Sequence, residues 1–254
     1  KMPIVENINS SEKKVIIADV DDTICESCQL VSDEMALEIS RLIDTGFSFA
    51  FISGTKSESL QRMISSKLKK EHHILGTTGT NYTLIKEDSS VEIIYKYSLS
   101  DEEKGEIINA FDKLIENYNI QSMTTKEDQV QDRDSQITLS AIGRHAPTEA
   151  KAAYDSDGKI RLMWIEFLKK HLDSEKYHMK IGGTTSVDIT KKGFDKEWGI
   201  RKFAKHNNIN HSEIIFFGDK LYPGGNDFPA TKIVDCVAVK NPEDTIRKLK
   251  EFFS

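Results

Sequence analysis

The order of apolar runs along this chain predicts an α/β fold, a parallel-sheet core interrupted by an inserted α+β unit. Three observations predict it. The first part of the chain alternates short apolar runs with amphipathic stretches, the pattern of parallel strands joined by crossover helices. The middle changes to alternating, half-exposed strands separated by long helices, the pattern of a sheet with one open face. The end returns to the first style.

Each element has its own justification. Lys13–Asp19 (KKVIIAD) is a short apolar run ending in acid, read as a buried parallel strand. Ser32 is placed to cap a helix whose first turn carries Asp33 and Glu34. Met35, Ile39, Leu42 and Ile43 fall on one face of that helix and Gly46 stops it. Phe47–Ile52 is a second strand running into Ser53-Gly54-Thr55. Leu60, Met63, Ile64 and Leu68 mark a second helix, and Ile74–Leu75 a third strand before the turn-rich GTTGTN. In the middle, Val91–Tyr97 predicts a strand and is assigned to the inserted unit. Ser100 and Glu103 have capping-box spacing ahead of the stripe Ile107, Phe111, Leu114, Ile115 and Tyr118. Ser135–Ile142 alternates as a strand, Leu162, Ile165, Leu168 and Leu172 form another helical stripe, and Tyr177–Ile181 is a further strand. Trp198–Lys205 reads as helix, and Ile214–Phe217 and Asp235–Val239 as strands. Asn241 and Pro242, as cap and first helical residue, open a last helix to Phe253. The core is therefore expected from residues 1–89 and 189–254, and the inserted unit from 90–188.

Composition narrows the class of function. The 254 residues are 38% hydrophobic and 30% charged, too apolar for disorder. No run approaches the roughly 18 apolar residues of a membrane span. The N-terminal KMPIVENINSSEKK lacks the apolar centre of a signal peptide. A net charge of −6 disfavours nucleic acid as partner. Three cysteines, an odd and low number, fit a reducing cytoplasm better than a disulfide scaffold. The expected partner is a small phosphorylated molecule, with no nucleic acid and no membrane, and the expected state a monomer or homodimer.

Polar residues collect where strands end. The first predicted strand ends in Asp19-Val20-Asp21-Asp22-Thr23 and the second in Ser53-Gly54-Thr55. The strand at 214–217 ends in Gly218-Asp219, with Asn226 and Asp227 following a Gly-Gly turn, and Lys196 opens a late helix. Open α/β sheets bind ligands at the carboxyl ends of their strands, so the four groups can meet there. Carboxylates so clustered need a cation among them to stay ionised. No His or Cys set with zinc spacing lies in these segments, and hard oxygen donors suit Mg²⁺. A metal, a lysine, a hydroxyl and a spare carboxylate together describe phosphoryl transfer. Singly, each signal has an ordinary reading as acidic loop, turn or solvated face; it is the four in order that point to chemistry.

These residues resemble the haloacid-dehalogenase (HAD) superfamily of phosphotransferases. DVDDT is similar to its first motif, Ser53 to the second, Lys196 to the third and GDKLYPGGND to the fourth. The resemblance spans nearly the whole chain. It implies a Rossmann-like parallel-sheet core with an inserted α+β cap of the C2b class. Within that class the chain resembles bacterial HAD-IIB hydrolases and eukaryotic-type phosphomannomutases, the latter through IGGTTSVDITKKGFDK, FFGDKLYPGGND and SQITLSAIGR. The resemblance implies Asp19 as nucleophile, Asp21 as general acid and base, and Ser53 and Lys196 as ligands of the transferring phosphoryl group. It implies Mg²⁺ held by Asp19, the Asp21 carbonyl and Asp219, with Asn226 and Asp227 in support. It implies Arg133 and Arg144 gripping a sugar or second phosphate, and Ser186 and Asp188 contacting sugar hydroxyls.

Two departures bear on the reaction. Asp22 stands where mutases usually have glycine, and Cys28 where they carry a substrate-contacting arginine. A mutase must hold a distal phosphate through two half-reactions, so the expectation favours a phosphatase of a sugar phosphate. A phosphomannomutase-like mutase is the alternative, and a non-catalytic phosphosugar-binding protein a third class. The Cys25–Cys28 pair reads as two small loop residues, a redox switch being the alternative. His72-His73 reads as a surface pair.

Overall fold

The computed structural model describes residues 4–254, so the first three residues of the N-terminal KMPIVENINSSEKK segment lie outside the described residues. The chain divides into two compact units, 1–96 with 194–254, and 97–193.

The first unit contains β1 (Val15–Asp19), α1 (Asp33–Asp44), β2 (Ser48–Ile52), α2 (Ser57–Leu60), β3 (His72–Gly76), β4 (Asn81–Ile85) and β5 (Val91–Lys96). The second contains α3 (Asp101–Tyr118), α4 (Lys126–Gln129), β6 (Val130–Asp132), β7 (Gln136–Ser140), α5 (Thr148–Tyr154), α6 (Lys159–Leu168), β8 (Tyr177–Gly182) and β9 (Ser186–Lys191). The chain then returns to the first unit with α7 (Lys196–His206), β10 (Ile214–Gly218), β11 (Asp235–Ala238) and α8 (Pro242–Phe252).

The first unit is a seven-stranded sheet in the order β11-β10-β1-β2-β3-β4-β5, parallel from β11 to β3. From β1 the chain winds outward through β2 to β3, then later adds β10 and β11 on the other side. The order therefore reverses between β1 and β10, and the carboxyl ends of those two strands frame a crevice. β1 and β10 are buried along their whole length because helices cover both faces. Ile16, Phe49, Phe51 and Phe217 pack on one side, among Met35, Ile39 and Leu42 of α1. Ile17, Ile52 and Phe216 pack on the other, against Ile200 and Phe203 of α7. Ser32 caps α1, accepting from Met35 N at 3.1 Å, as its position predicts.

The structure departs from the sequence reading at several points. The strand at 91–96, assigned to the inserted unit, pairs antiparallel with β4 and completes the core sheet. β4 has no clear signal in the sequence: Asn81–Ile85 is too short to show a period, and only pairing with β3 identifies it. His72 and His73 are not a surface pair. They lie on β3, with His72 buried, its Nε2 2.7 Å from Ser65 Oγ and its Nδ1 2.7 Å from Lys70 O. His73 Nδ1 lies 2.6 Å from Tyr82 OH. Burial holds both imidazoles down to about 4, hence neutral.

The second unit is a four-stranded antiparallel sheet in the order β6-β7-β9-β8. Ile137, Leu139, Val187 and Ile189 point to one face and pack with Ile107, Phe111 and Leu114 of α3 and Trp164 and Leu168 of α6. Alternation sends Thr138, Ser140, Ser186 and Asp188 to the opposite face. Ser100 and Glu103 form the predicted capping box of α3. Leu162, read as part of the α6 stripe, is instead 52% exposed, because the buried face of α6 runs through Arg161, Ile165 and Leu168. β9, unread in the sequence, shows period-two burial at Val187 and Ile189. No helix among the described residues is long and apolar enough to cross a membrane.

Candidate active site

Asp19 is the last residue of β1, and Asp219 follows the last residue of β10. The two strands are neighbours, so both carboxylates open onto the crevice between their ends. Asp227 is brought back to the same point by the Gly-Gly turn and accepts from Lys220 N at 3.0 Å. Carboxylate oxygens of Asp19, Asp219 and Asp227 lie within 4.8 Å of one another.

Lys196, the first residue of α7, reaches into this group. Its Nζ is 2.6 Å from Asp19 Oδ1 and 2.6 Å from Asp227 Oδ1, and the residue is 2% exposed. A buried ammonium is costly unless paired. Burial alone would lower the Lys196 pKa; Asp19 and Asp227 reverse this and hold it above the ordinary lysine value. Thr23 Oγ1 donates to Asp19 Oδ2 at 3.1 Å and lies 3.4 Å from Asp219 Oδ1. One lysine among three carboxylates leaves the cluster negative. Burial raises the pKa of Asp19 despite the opposing pull of Lys196. Asp227 is raised for the same reason.

The loop after β1 is wound on a single carbonyl. Val20 O accepts from the backbone N–H groups of Thr23, Ile24 and Cys25 at 3.1, 2.9 and 3.2 Å. That tight turn forces Asp22 to φ 63°, the left-handed region that favours glycine. Aspartate is among the few other residues that tolerate it. Asp22 thus holds a backbone conformation that glycine would adopt without strain. Asp21 follows the strand, and its Oδ1 accepts from Cys28 N at 3.1 Å. Burial raises the Asp21 pKa, against the lowering effect of that hydrogen bond. Cys25 is buried and Cys28 exposed, and both are free thiols.

Ser53 follows β2 directly. β1 and β2 pair Asp19 with Ile52, so Ser53 sits one residue beyond that register. Ser53 is buried and accepts from Thr55 N at 3.0 Å through its hydroxyl. Its carbonyl accepts from Thr78 N at 2.7 Å. Thr77 and Thr78 have φ values of 46° and 62°, unusual for β-branched residues, in the turn after β3. Helix α7 rests on that turn. A Cβ on Gly199 would lie 2.6 Å from Thr78 O and 2.9 Å from Ile52 Cδ1. Only glycine lets α7 approach this closely, and the approach sets where Lys196, one turn earlier, enters the site. Thr23, Thr78 and Gly199 are the positioning residues sequence reasoning missed. A glycine inside a helical pattern was the available signal for the last.

The structure thus gathers Asp19, Lys196, Asp219 and Asp227, with Asp21 and Ser53 on adjoining strand ends, in the first unit. The Asp21 carboxylate is not part of the metal-sized acidic group, and the neighbouring Asn226 is exposed. The oxygen-only donors and surplus negative charge fit a hard divalent cation such as Mg²⁺. The other expected residues belong to the second unit. Asp188 Oδ1 accepts from Thr138 Oγ1 at 2.8 Å, and Ser186 pairs across from Ser140 on the same polar face. Arg133 Nη2 donates to Gln131 Oε1 at 2.9 Å. Arg144 lies in the turn after β7.

Comparison with known proteins agrees with this architecture. The family model described as eukaryotic phosphomannomutase matches residues 49–254. A phosphomannomutase of Saccharomyces cerevisiae is 29% identical, with 94% of each chain covered. An N-terminally truncated IMP-nucleotidase of Plasmodium falciparum superposes with a TM-score of 0.69 at 18% identity, covering 96% of this chain and 71% of that one. A HAD-superfamily phosphatase of Bacteroides thetaiotaomicron superposes with a TM-score of 0.61 at 15% identity, covering 96% and 97%. At those identities the two structures speak to the fold alone.

Proposed function

The chain belongs to the eukaryotic phosphomannomutase family, and from that premise we propose that it transfers phosphoryl groups on a mannose phosphate through an aspartyl-phosphate on Asp19. The carrying observation is Lys196 Nζ held between Asp19 and Asp227 inside a three-carboxylate cluster at the ends of β1 and β10.

The roles follow from the chemistry. A carboxylate oxygen of Asp19 forms the new bond to phosphorus as the bond to the leaving oxygen breaks. Asp21, whose acid form is favoured by burial, gives its proton to that oxygen. In the second half, Asp21 takes a proton from the incoming hydroxyl, which attacks phosphorus and frees Asp19. Lys196 and the Ser53 hydroxyl bind phosphoryl oxygens, and Asp227 keeps Lys196 charged and aimed. Mg²⁺ held by Asp19, Asp219 and the Asp21 carbonyl would neutralise charge on the phosphoryl group. Arg133, Arg144, Ser186 and Asp188 of the second unit, the cap in this reading, bind the sugar and its distal phosphate.

Which hydroxyl enters separates the two readings. A sugar hydroxyl makes a mutase, and the near full-length likeness to a phosphomannomutase supports it. Water makes a phosphatase, the reading favoured by Cys28 where an arginine would grip the substrate. Incubation with mannose 1-phosphate, a hexose bisphosphate activator and Mg²⁺ tests both. Isomer formation faster than phosphate release is expected; phosphate release alone would transfer the assignment to the phosphatase. Full turnover by Asp19→Asn would overturn both.

A further inference from the structure

We propose that Asp128 is a positioning residue for Arg144, clamping the turn from which that guanidinium meets a substrate phosphate; this rests on the reading of Arg144 as a phosphate ligand. The inference starts from an imbalance in the second unit. Arg161 is buried and bonded to Asp155 at 2.7 Å, and Arg133 donates to Gln131 at 2.9 Å. Arg144 is a half-buried residue, and its side chain has no hydrogen-bond or ion-pair partner among the described residues. A cation without an acceptor is open to an anionic ligand, and a guanidinium fork suits phosphate oxygens.

Such a side chain binds well only if its backbone is fixed beforehand. Asp128, the residue before the last of α4, supplies the fixing. Its carbonyl accepts from Arg144 N at 3.0 Å. Its Oδ2 accepts from His145 N at 2.9 Å and from Thr124 Oγ1 at 2.6 Å. Its Oδ1 lies 2.6 Å from His145 Nδ1. Burial would raise the Asp128 pKa, yet these donors hold it below the ordinary aspartate value. The residue before Arg144 completes the clamp. Gly143 has φ +102°, and a Cβ there would collide with Thr124 Oγ1 and lie 3.1 Å from Asp128 Oδ2. On the far side, Lys151 Nζ donates to Arg144 O at 2.8 Å. The turn is therefore held from both sides, with Asp128 bonded to both residues of the Arg144–His145 peptide.

The test is a double-mutant cycle on the full chain, read by calorimetric binding of mannose 1-phosphate. Arg144→Ala and Asp128→Ala should each weaken binding about tenfold, and the double variant should bind no worse than Arg144→Ala alone. That non-additivity is what a generally destabilised fold would not produce. Unchanged affinity in Asp128→Ala, or losses that multiply in the double variant, overturn the inference while leaving Arg144 a ligand. Wild-type affinity in Arg144→Ala overturns the ligand reading itself, and the inference with it. Should Asp128→Ala not fold, Asp128→Asn keeps the side-chain volume and the main-chain bond to Arg144. It should still weaken binding several-fold, and wild-type affinity in that variant counts against the clamp.

Discussion

Replacing Lys196 by methionine tests the electrostatic core of the site. Methionine fills similar volume but removes the cation that Asp19 and Asp227 share at 2.6 Å. Both residues are 5% exposed or less, so without the ammonium their carboxylates are poorly solvated. Breaking a buried pair from one side typically costs about 3–5 kcal/mol. For a chain of this size that is roughly 6–20 °C in melting temperature. The pH dependence gives the sharper signature. Burial already places the folded-state pKa of Asp19 and Asp227 above the unfolded value. Such groups contribute stability below their unfolded pKa and lose it as pH rises through the folded one. Without Lys196 that rise is larger, so the deficit of Lys196→Met against wild type should be greatest near pH 8 and shrink toward pH 5. Mg²⁺ should stabilise the variant by mass action, by about 2.7 kcal/mol at a hundred times its dissociation constant. Thermal unfolding followed by near-UV circular dichroism over that pH range, with and without Mg²⁺, makes the comparison. A variant as stable as wild type at pH 8, or a deficit independent of pH, refutes the argument that Lys196 neutralises this cluster.

Other substitutions probe the supports around the site. Asp22→Gly should stabilise the chain by up to about 1 kcal/mol in urea denaturation, since left-handed backbone costs an ordinary residue more than glycine loses in entropy. Gly199→Ala should destabilise by about 1–3 kcal/mol and lower turnover, because its Cβ would lie 2.6 Å from Thr78 O and push α7, with Lys196, off its seat. Arg161→Met should cost about 3–5 kcal/mol, leaving the 1% exposed Asp155 side chain uncompensated and the carbonyls of Gly182, Gly183 and Ser186 without their donor; differential scanning calorimetry measures it. Acidification below pH 6 should weaken the core sheet, since the neutral His72 and His73, held to about 4, must be charged on unfolding or in place. The lost stability is that present above the unfolded value of 6.5, and the fall should be shallower in His72→Gln.

What the sequence could carry was local and periodic. The runs KKVIIAD and IIFFG announce buried parallel strands through unbroken apolar character, and Ser32, Ser100 and Asn241 announce helix starts through one side-chain oxygen each. The acidic and hydroxylic residues were legible because they follow such runs immediately, and strand ends in this topology face one side. Weak periods were not legible. β4 exists because β3 and β5 flank it, and His72 can be buried because Ser65 and Lys70 satisfy its ring, that burial keeping it neutral.

Tertiary structure alone decided who pairs with whom. Asp227, expected to support a metal, is also the second partner of Lys196, and no spacing in the chain encodes a bond across 31 positions. Gly199 and Thr78 matter because two backbones touch, which is a property of packing and not of either residue. Periodicity and capping act within a few residues and survive in the linear text, whereas a charge balance is a sum over everything that folding brings close, and it exists only once the chain has closed around it.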